Sequence, residues 1–162
     1  MVKKIVGTGV LLVLALALQA GVKMYTLKSP DGKVKLEVTA GQGIAYSLFY
    51  DGRLLLKPSR IALHTDLPEA DHWENIRITG TKQRHVSETV QAPFYRVKEF
   101  GIDCNELELR LNNGFSLLMR AYNDGMAYRF VAGRKGEMTV VEERAEFNFA
   151  DDFEAYIPYS TN

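Results

Sequence analysis

The stretch Phe115-Ser116-Leu117-Leu118-Met119-Arg120-Ala121-Tyr122-Asn123-Asp124-Gly125-Met126-Ala127-Tyr128-Arg129-Phe130-Val131 decides the fold. Two strand-like runs flank Asn123-Asp124-Gly125. Asn and Asp suit tight backbone geometry, and Gly supplies a positive φ. Three turn residues predict a type I turn followed by a glycine bulge at Gly125. In that register Tyr122 faces Met126 and Arg120 faces Tyr128. One face then carries Leu118, Arg120, Tyr122, Met126, Tyr128 and Phe130. The other carries Phe115, Leu117, Met119, Ala121, Ala127, Arg129 and Val131. Neither face is polar, so the hairpin is expected to be covered on both sides, within a sandwich. Arg120 and Arg129 must then find acidic partners, because an unpaired buried charge is costly.

Outward from this hairpin the chain reads as short strands separated by turns. Upstream, residues 24–28 form a strand before the turn Ser29-Pro30-Asp31-Gly32. Residues 33–39 alternate, with Val34, Leu36 and Val38 inward. Residues 44–50 and 53–57 are joined by the tight turn Asp51-Gly52. Pro58-Ser59 breaks the run, which resumes over 60–65. Residues 66–74 are a polar loop ending at Trp73 and Glu74. Strands follow at 75–79, 94–100 and 106–112, with 82–92 either an edge strand or an exposed loop. Downstream, 133–136 is a turn and 138–149 a long final strand. No segment beyond the first twenty residues has a helical period, so the class is all-β and antiparallel.

The 162 residues allow at most one ordinary domain, and 46% hydrophobic residues, with eight Phe and eight Tyr, supply its core. A formal charge of zero gives no reason to expect nucleic acid. Residues 1–20 read as a signal peptide: Lys3 and Lys4, an apolar run from Val10 to Leu18, and small residues at the cut. Cleavage after Ala20 or after Ala17 both fit. The run is short for a membrane span, so no transmembrane segment is expected after cleavage. Export to the periplasm follows, with outer-membrane association left open. Cys104 is the single cysteine, so no internal disulfide forms, and it reads as a small apolar filler at a half-buried strand edge.

Residues that carry chemistry are few. His64, His72 and His85 lack metal-ligand spacing and read as surface histidines. Glu142, Glu143 and Glu146 lie near Asp151, Asp152 and Glu154. Such oxygens suit calcium, although a solvated acidic strand is the commoner outcome and the metal reading the minor one. Arg120, Asn123, Asp124 and Arg129 form the candidate site. They suit paired hydrogen bonds to sugar hydroxyls, or a domain interface. Turn chemistry and buried ion pairs explain the same residue types, which favours a structural role.

Several stretches together resemble glycoside hydrolase family 97. Ser29-Pro30-Asp31-Gly32-Lys33, Tyr50-Asp51-Gly52-Arg53 and Lys57-Pro58-Ser59 are similar to the opening of that family. Asn105-Glu106-Leu107 and Tyr156-Ile157-Pro158 match later segments. The run from Arg120 to Phe130 is the most specific match. The resemblance covers residues 21–162 and implies an amino-terminal β-super-sandwich of the galactose mutarotase-like kind, incomplete in this chain. In the family it precedes a catalytic (β/α)8 barrel in cis. The activity implied is that of exported α-glucosidases and α-galactosidases acting on α-linked glycans. Calcium is the cofactor implied for the full-length family, and none is expected on this chain alone. The family's sandwich lends calcium one acidic ligand, from beyond the aromatic-Ile-Pro segment. The chain ends ahead of that position, so no catalytic or metal residue transfers. Residues 89–100 lack the Trp often seen in the glucosidase branch. The expected function is therefore a non-catalytic sandwich supporting carbohydrate binding and packing on a barrel absent here. A stand-alone periplasmic carbohydrate-binding module and an interaction domain without a sugar ligand are the alternatives.

Overall fold

The computed structural model describes residues 23–94, 96–133, 135–154 and 156. The signal-peptide expectation and the Ile157-Pro158 match lie outside the described residues. Nine strands are described: β1 (Met24–Lys28), β2 (Val34–Gly41), β3 (Gly43–Tyr50), β4 (Arg53–Thr65), β5 (Ile78–Gln91), β6 (Glu99–Leu111), β7 (Phe115–Tyr122), β8 (Gly125–Ala132) and β9 (Val140–Ala145). They form two antiparallel sheets, ordered β1-β2-β3-β4-β9 and β5-β6-β7-β8. Among the described residues no helix is long and apolar enough to cross a membrane.

Alternation places the core between the sheets. In β2, Val34, Leu36 and Val38 are buried while the residues between them are half-buried. Opposite them, Leu107, Leu109 and Leu111 of β6 and Phe115, Leu117, Met119 and Ala121 of β7 point inward. Each fully buried Leu contributes about 1.5–3 kcal/mol of transfer free energy. One end of the sandwich is closed by Trp73. Its indole Nε1–H donates to the Leu63 carbonyl at 3.0 Å. Its ring stacks on Phe115 and meets Phe130 edge-on, with centroids 6.0 and 5.2 Å away.

The central hairpin has a tighter turn than the sequence suggests. Tyr122 pairs with Gly125, Ala121 with Met126, Arg120 with Ala127 and Met119 with Tyr128. The loop is two residues, Asn123-Asp124, not three. Gly125 is the first strand residue and has no positive φ. This one-residue difference turns β8 over relative to the expected register. Met126, Tyr128 and Phe130 share the inner face with Met119 and Leu117, and Arg129 faces outward. Covering on both sides also fails: β8 is a sheet edge, and its inner residues are half-buried. Asn123 fixes the turn differently, its Oδ1 accepting the Asp31 N–H at 3.0 Å and tying the hairpin to the Ser29–Gly32 turn.

Other elements differ at Pro, Gly and polar positions. Pro58-Ser59 bulges β4 and does not break it, because Asn148 bonds the Pro58 carbonyl and Ser59 Oγ. Asn75 sits at φ 60 in a turn, so the strand expected from 75 begins at Ile78. β5 is an edge strand. The strand expected at 94–100 is mostly the β5–β6 connection. The final strand shortens to Val140–Ala145, exposed throughout and followed by a bridge from Leu56 to Phe149. Cys104 is fully buried, not half-buried.

Candidate functional site

The pleat of the second sheet places Arg84 (β5), Glu106 (β6) and Arg120 (β7) in one cross-strand row on its outer face. Glu106 is the acceptor for both neighbours. Arg84 Nε–H donates to Oε1 at 2.7 Å and Arg120 Nε–H to Oε2 at 2.8 Å. The Glu106 side chain is 5% exposed, against 24% for Arg120 and 54% for Arg84. Burial alone would raise the Glu106 pKa. The two guanidinium hydrogen bonds outweigh it and hold the carboxyl below the usual carboxylate value. Hydrogen bonding to Glu106, then to Tyr122, raises the Arg120 pKa further. With both oxygens engaged, Glu106 is an anchor for three strands. It is not free to act as a general base or nucleophile.

The four residues singled out from sequence separate into two places. Arg120 and Arg129 line one recess of ≈ 180 Å³ with Leu118, Tyr122, Ala127 and Tyr128. Arg129 is exposed there, and no ion pair joins it among the described residues. Asn123 and Asp124 lie exposed on the turn, with Asn123 bonded to the Asp31 backbone. Glu106 is the member that local reading missed. Its signal was partly present: Glu106 and Glu108 stand in the alternating run Cys104 to Leu111, on the face opposite Leu107 and Leu109.

A wider groove lies at the end of the sandwich near Trp73. Gly41 to Gly43, His72, Glu74 to Arg77, Asn112, Glu146 and Asn148 contribute to its walls, around ≈ 1310 Å³. Its wall is fixed where Asn112 Oδ1 accepts the Arg77 N–H at 2.8 Å. Polar and apolar groups share the lining, and no Phe, Tyr or Trp side chain belongs to it among the described residues.

Several acidic residues of the carboxy-terminal part are held by neighbouring groups. Among the described residues no three His, Cys, Asp or Glu side chains gather into a metal-holding group. Glu143 accepts the Tyr128 hydroxyl at 2.9 Å. Burial, then that bond, raises the Tyr128 pKa far above its ordinary value. Glu146 accepts the Arg60 N–H at 3.1 Å, which lowers its pKa, and it pairs with Arg144. Asp151 reaches Arg53 at 3.4 Å. His64 Nδ1 lies 2.8 Å from Asp71 Oδ1 and is half-buried, closing the polar loop.

Comparison with known proteins gives this scaffold a context. Residues 27–162 match the family model described as glycosyl-hydrolase 97 N-terminal. The chain is 40% identical over 145 residues to a retaining alpha-galactosidase of Bacteroides thetaiotaomicron, covering 89% of this chain and 22% of that protein. It is 26% identical over 132 residues to a probable retaining alpha-galactosidase of Streptomyces bingchenggensis, covering 79% of this chain and 20% of that one. The chain thus spans about a fifth of the length of these curated relatives. Among solved structures, a beta-arabinopyranosidase superposes with a TM-score of 0.68 at 25% identity, over 77% of this chain and 21% of its own. A family 97 enzyme of Pseudoalteromonas sp. strain K8, in complex with panose, superposes with a TM-score of 0.64 at 19% identity, over 78% of this chain and 20% of its own. That second likeness concerns the fold.

Proposed function

The chain belongs to glycoside hydrolase family 97 through its amino-terminal domain, and on that premise we propose that it serves as the non-catalytic sandwich of an exported retaining α-galactosidase. In this reading it packs on a catalytic barrel in cis and supports binding of an α-linked galactoside there. The observation that carries the proposal is the 40% identity over most of this chain to a region that is only 22% of a retaining alpha-galactosidase. The described chemistry agrees with a scaffold role: Glu106 is locked between two arginines, and three acids of β9 and beyond, Glu143, Glu146 and Asp151, are bonded to Tyr128, Arg60, Arg144 and Arg53. Export is supported by Lys3, Lys4 and the apolar run that follows. Calcium dependence belongs to the whole enzyme in this reading.

The test replaces the matching region of the Bacteroides enzyme with residues 27–162 of this chain. Hydrolysis of an aryl α-galactoside by the hybrid, reduced by a calcium chelator, is the expected result. The chain alone should give no turnover. Turnover by a monodisperse sample of the chain alone would place an active site inside the sandwich and overturn the proposal. A hybrid that folds but never hydrolyses would do the same for the role in cis.

A further inference from the structure

Strands β5 and β6 pair with each other well beyond the end of β7. Pairing of β6 with β7 runs from Asn105 to Arg110, whereas β5 follows β6 out to Gln91 and Glu99. Residues 86–91 and 99–104 therefore form a two-stranded ribbon. On one face its cross-strand pairs are Val86–Cys104, Glu88–Ile102 and Val90–Phe100. On the other they are Ser87–Asp103, Thr89–Gly101 and Gln91–Glu99. All but Glu88 are apolar on the first face, and every residue on the second is polar or Gly. By the period-2 pleat the apolar face continues the Arg84–Glu106–Arg120 row, away from the sandwich core. Val86 and Cys104 at its base are buried. Toward the tip Phe100 is 42% exposed and Phe94, in the connecting loop, 98%.

A two-stranded ribbon is at best marginally stable in water by itself. One whose face is apolar but for Glu88, and exposed toward its tip, marks an interaction surface. We propose that this face docks the catalytic domain of the same protein, an inference that rests on the functional reading above. The matched region is about a fifth of each curated relative, so most of such a protein lies outside it. A covalently joined domain has a high effective concentration and needs only a modest apolar patch to seat. The neighbouring row sets the chemistry of the partner. On this outer face Lys82, Arg84, Arg110, Arg120 and Arg129 outnumber Glu88, Glu106 and Glu108, so it carries excess positive charge. The seat on the catalytic domain is therefore an apolar patch with an acidic flank. A second copy of this chain would bring two positive faces together, which an isologous contact penalises.

Hydrogen exchange tests the inference on the hybrid described above, beside the chain alone. Amides of residues 86–91 and 99–104 should exchange at least ten-fold more slowly in the hybrid. Phe94→Ser with Phe100→Glu should abolish that protection and separate the hybrid's single thermal transition into two. Ser87→Lys, on the polar face, should change neither. Equal exchange in an active hybrid and in the chain alone would overturn the docking face and leave the functional reading standing. A folded hybrid without hydrolysis would overturn the functional reading and this inference with it. Concentration-dependent dimers of the chain, dispersed by Phe100→Glu, would assign the face to self-association and overturn it.

Discussion

Glu106→Gln tests whether the outer-face ion row holds the second sheet together. The substitution keeps the shape of the side chain and removes its charge. One amide oxygen can still accept from one arginine, but the amide nitrogen then faces a guanidinium donor. The Arg120 bond is 2.8 Å long and joins a 5% exposed carboxylate to a 24% exposed guanidinium. A hydrogen bond to a charged group contributes about 1.5–3 kcal/mol, and breaking a fully buried pair costs about 3–5 kcal/mol. Solvent reaches part of Arg120, so the lower part of that span applies, about 2–3 kcal/mol. Arg84 is mostly exposed and receives no share. With a urea slope of about 1–3 kcal/mol/M, the midpoint should fall by about 1 M. A cycle with Arg120→Met assigns the coupling to this pair. The pH dependence is a second readout. The folded Glu106 pKa is lowered, so its contribution is present above the unfolded value, about 4.3, and is lost as pH falls through the folded value. The native chain should therefore lose more stability on acidification than the Gln variant does. A midpoint change worth less than about 0.5 kcal/mol, with unchanged acid sensitivity, would refute the anchoring role.

Gly125→Ala should change stability by less than about 0.5 kcal/mol, because Gly125 lacks a positive φ and a Cβ there meets open space; Gly114→Ala, at φ 86, should cost about 1 kcal/mol in the same denaturant melts. Gly133→Ala should cost about 1–3 kcal/mol, since its Cβ would lie 2.8 Å from the Gly114 carbonyl oxygen, a backbone atom that cannot swing aside; an unchanged thermal midpoint would count against that contact. Trp73→Ala should cost about 3–5 kcal/mol and flatten the near-ultraviolet circular dichroism, as the end plug over Phe115 and Phe130 is lost. Amino-terminal sequencing of secreted protein should find a start between Leu18 and Val22, and an intact Met1 in the soluble fraction would contradict export.

Much of the strand pattern is written locally. Val34, Leu36 and Val38 alternate with Lys35, Glu37 and Thr39, and no other arrangement buries the one set while wetting the other. Asp51-Gly52 and Ser29-Pro30-Asp31-Gly32 place their turns because few residue types accept the required dihedrals. The ordered set of short motifs resembled family 97, and the family match covers the same stretch. The need of Arg120 for an acidic partner also followed from the cost of an unpaired charge. Its identity did not: Glu106 reaches Arg120 only through the pairing of β6 with β7, and Arg84 arrives on the other side from β5. Turn length was likewise undetermined. Asn-Asp-Gly serves a two-residue or a three-residue loop, and the inward packing of Tyr128 and Phe130 against Tyr46 and Trp73 selects the shorter one. The sequence determined where most strands and turns lie, because those choices depend on neighbours a few residues apart. Which face of β8 enters the core, which acid meets Arg120 and which ribbon face stays bare were decided by tertiary structure, because each depends on residues brought together from distant parts of the chain.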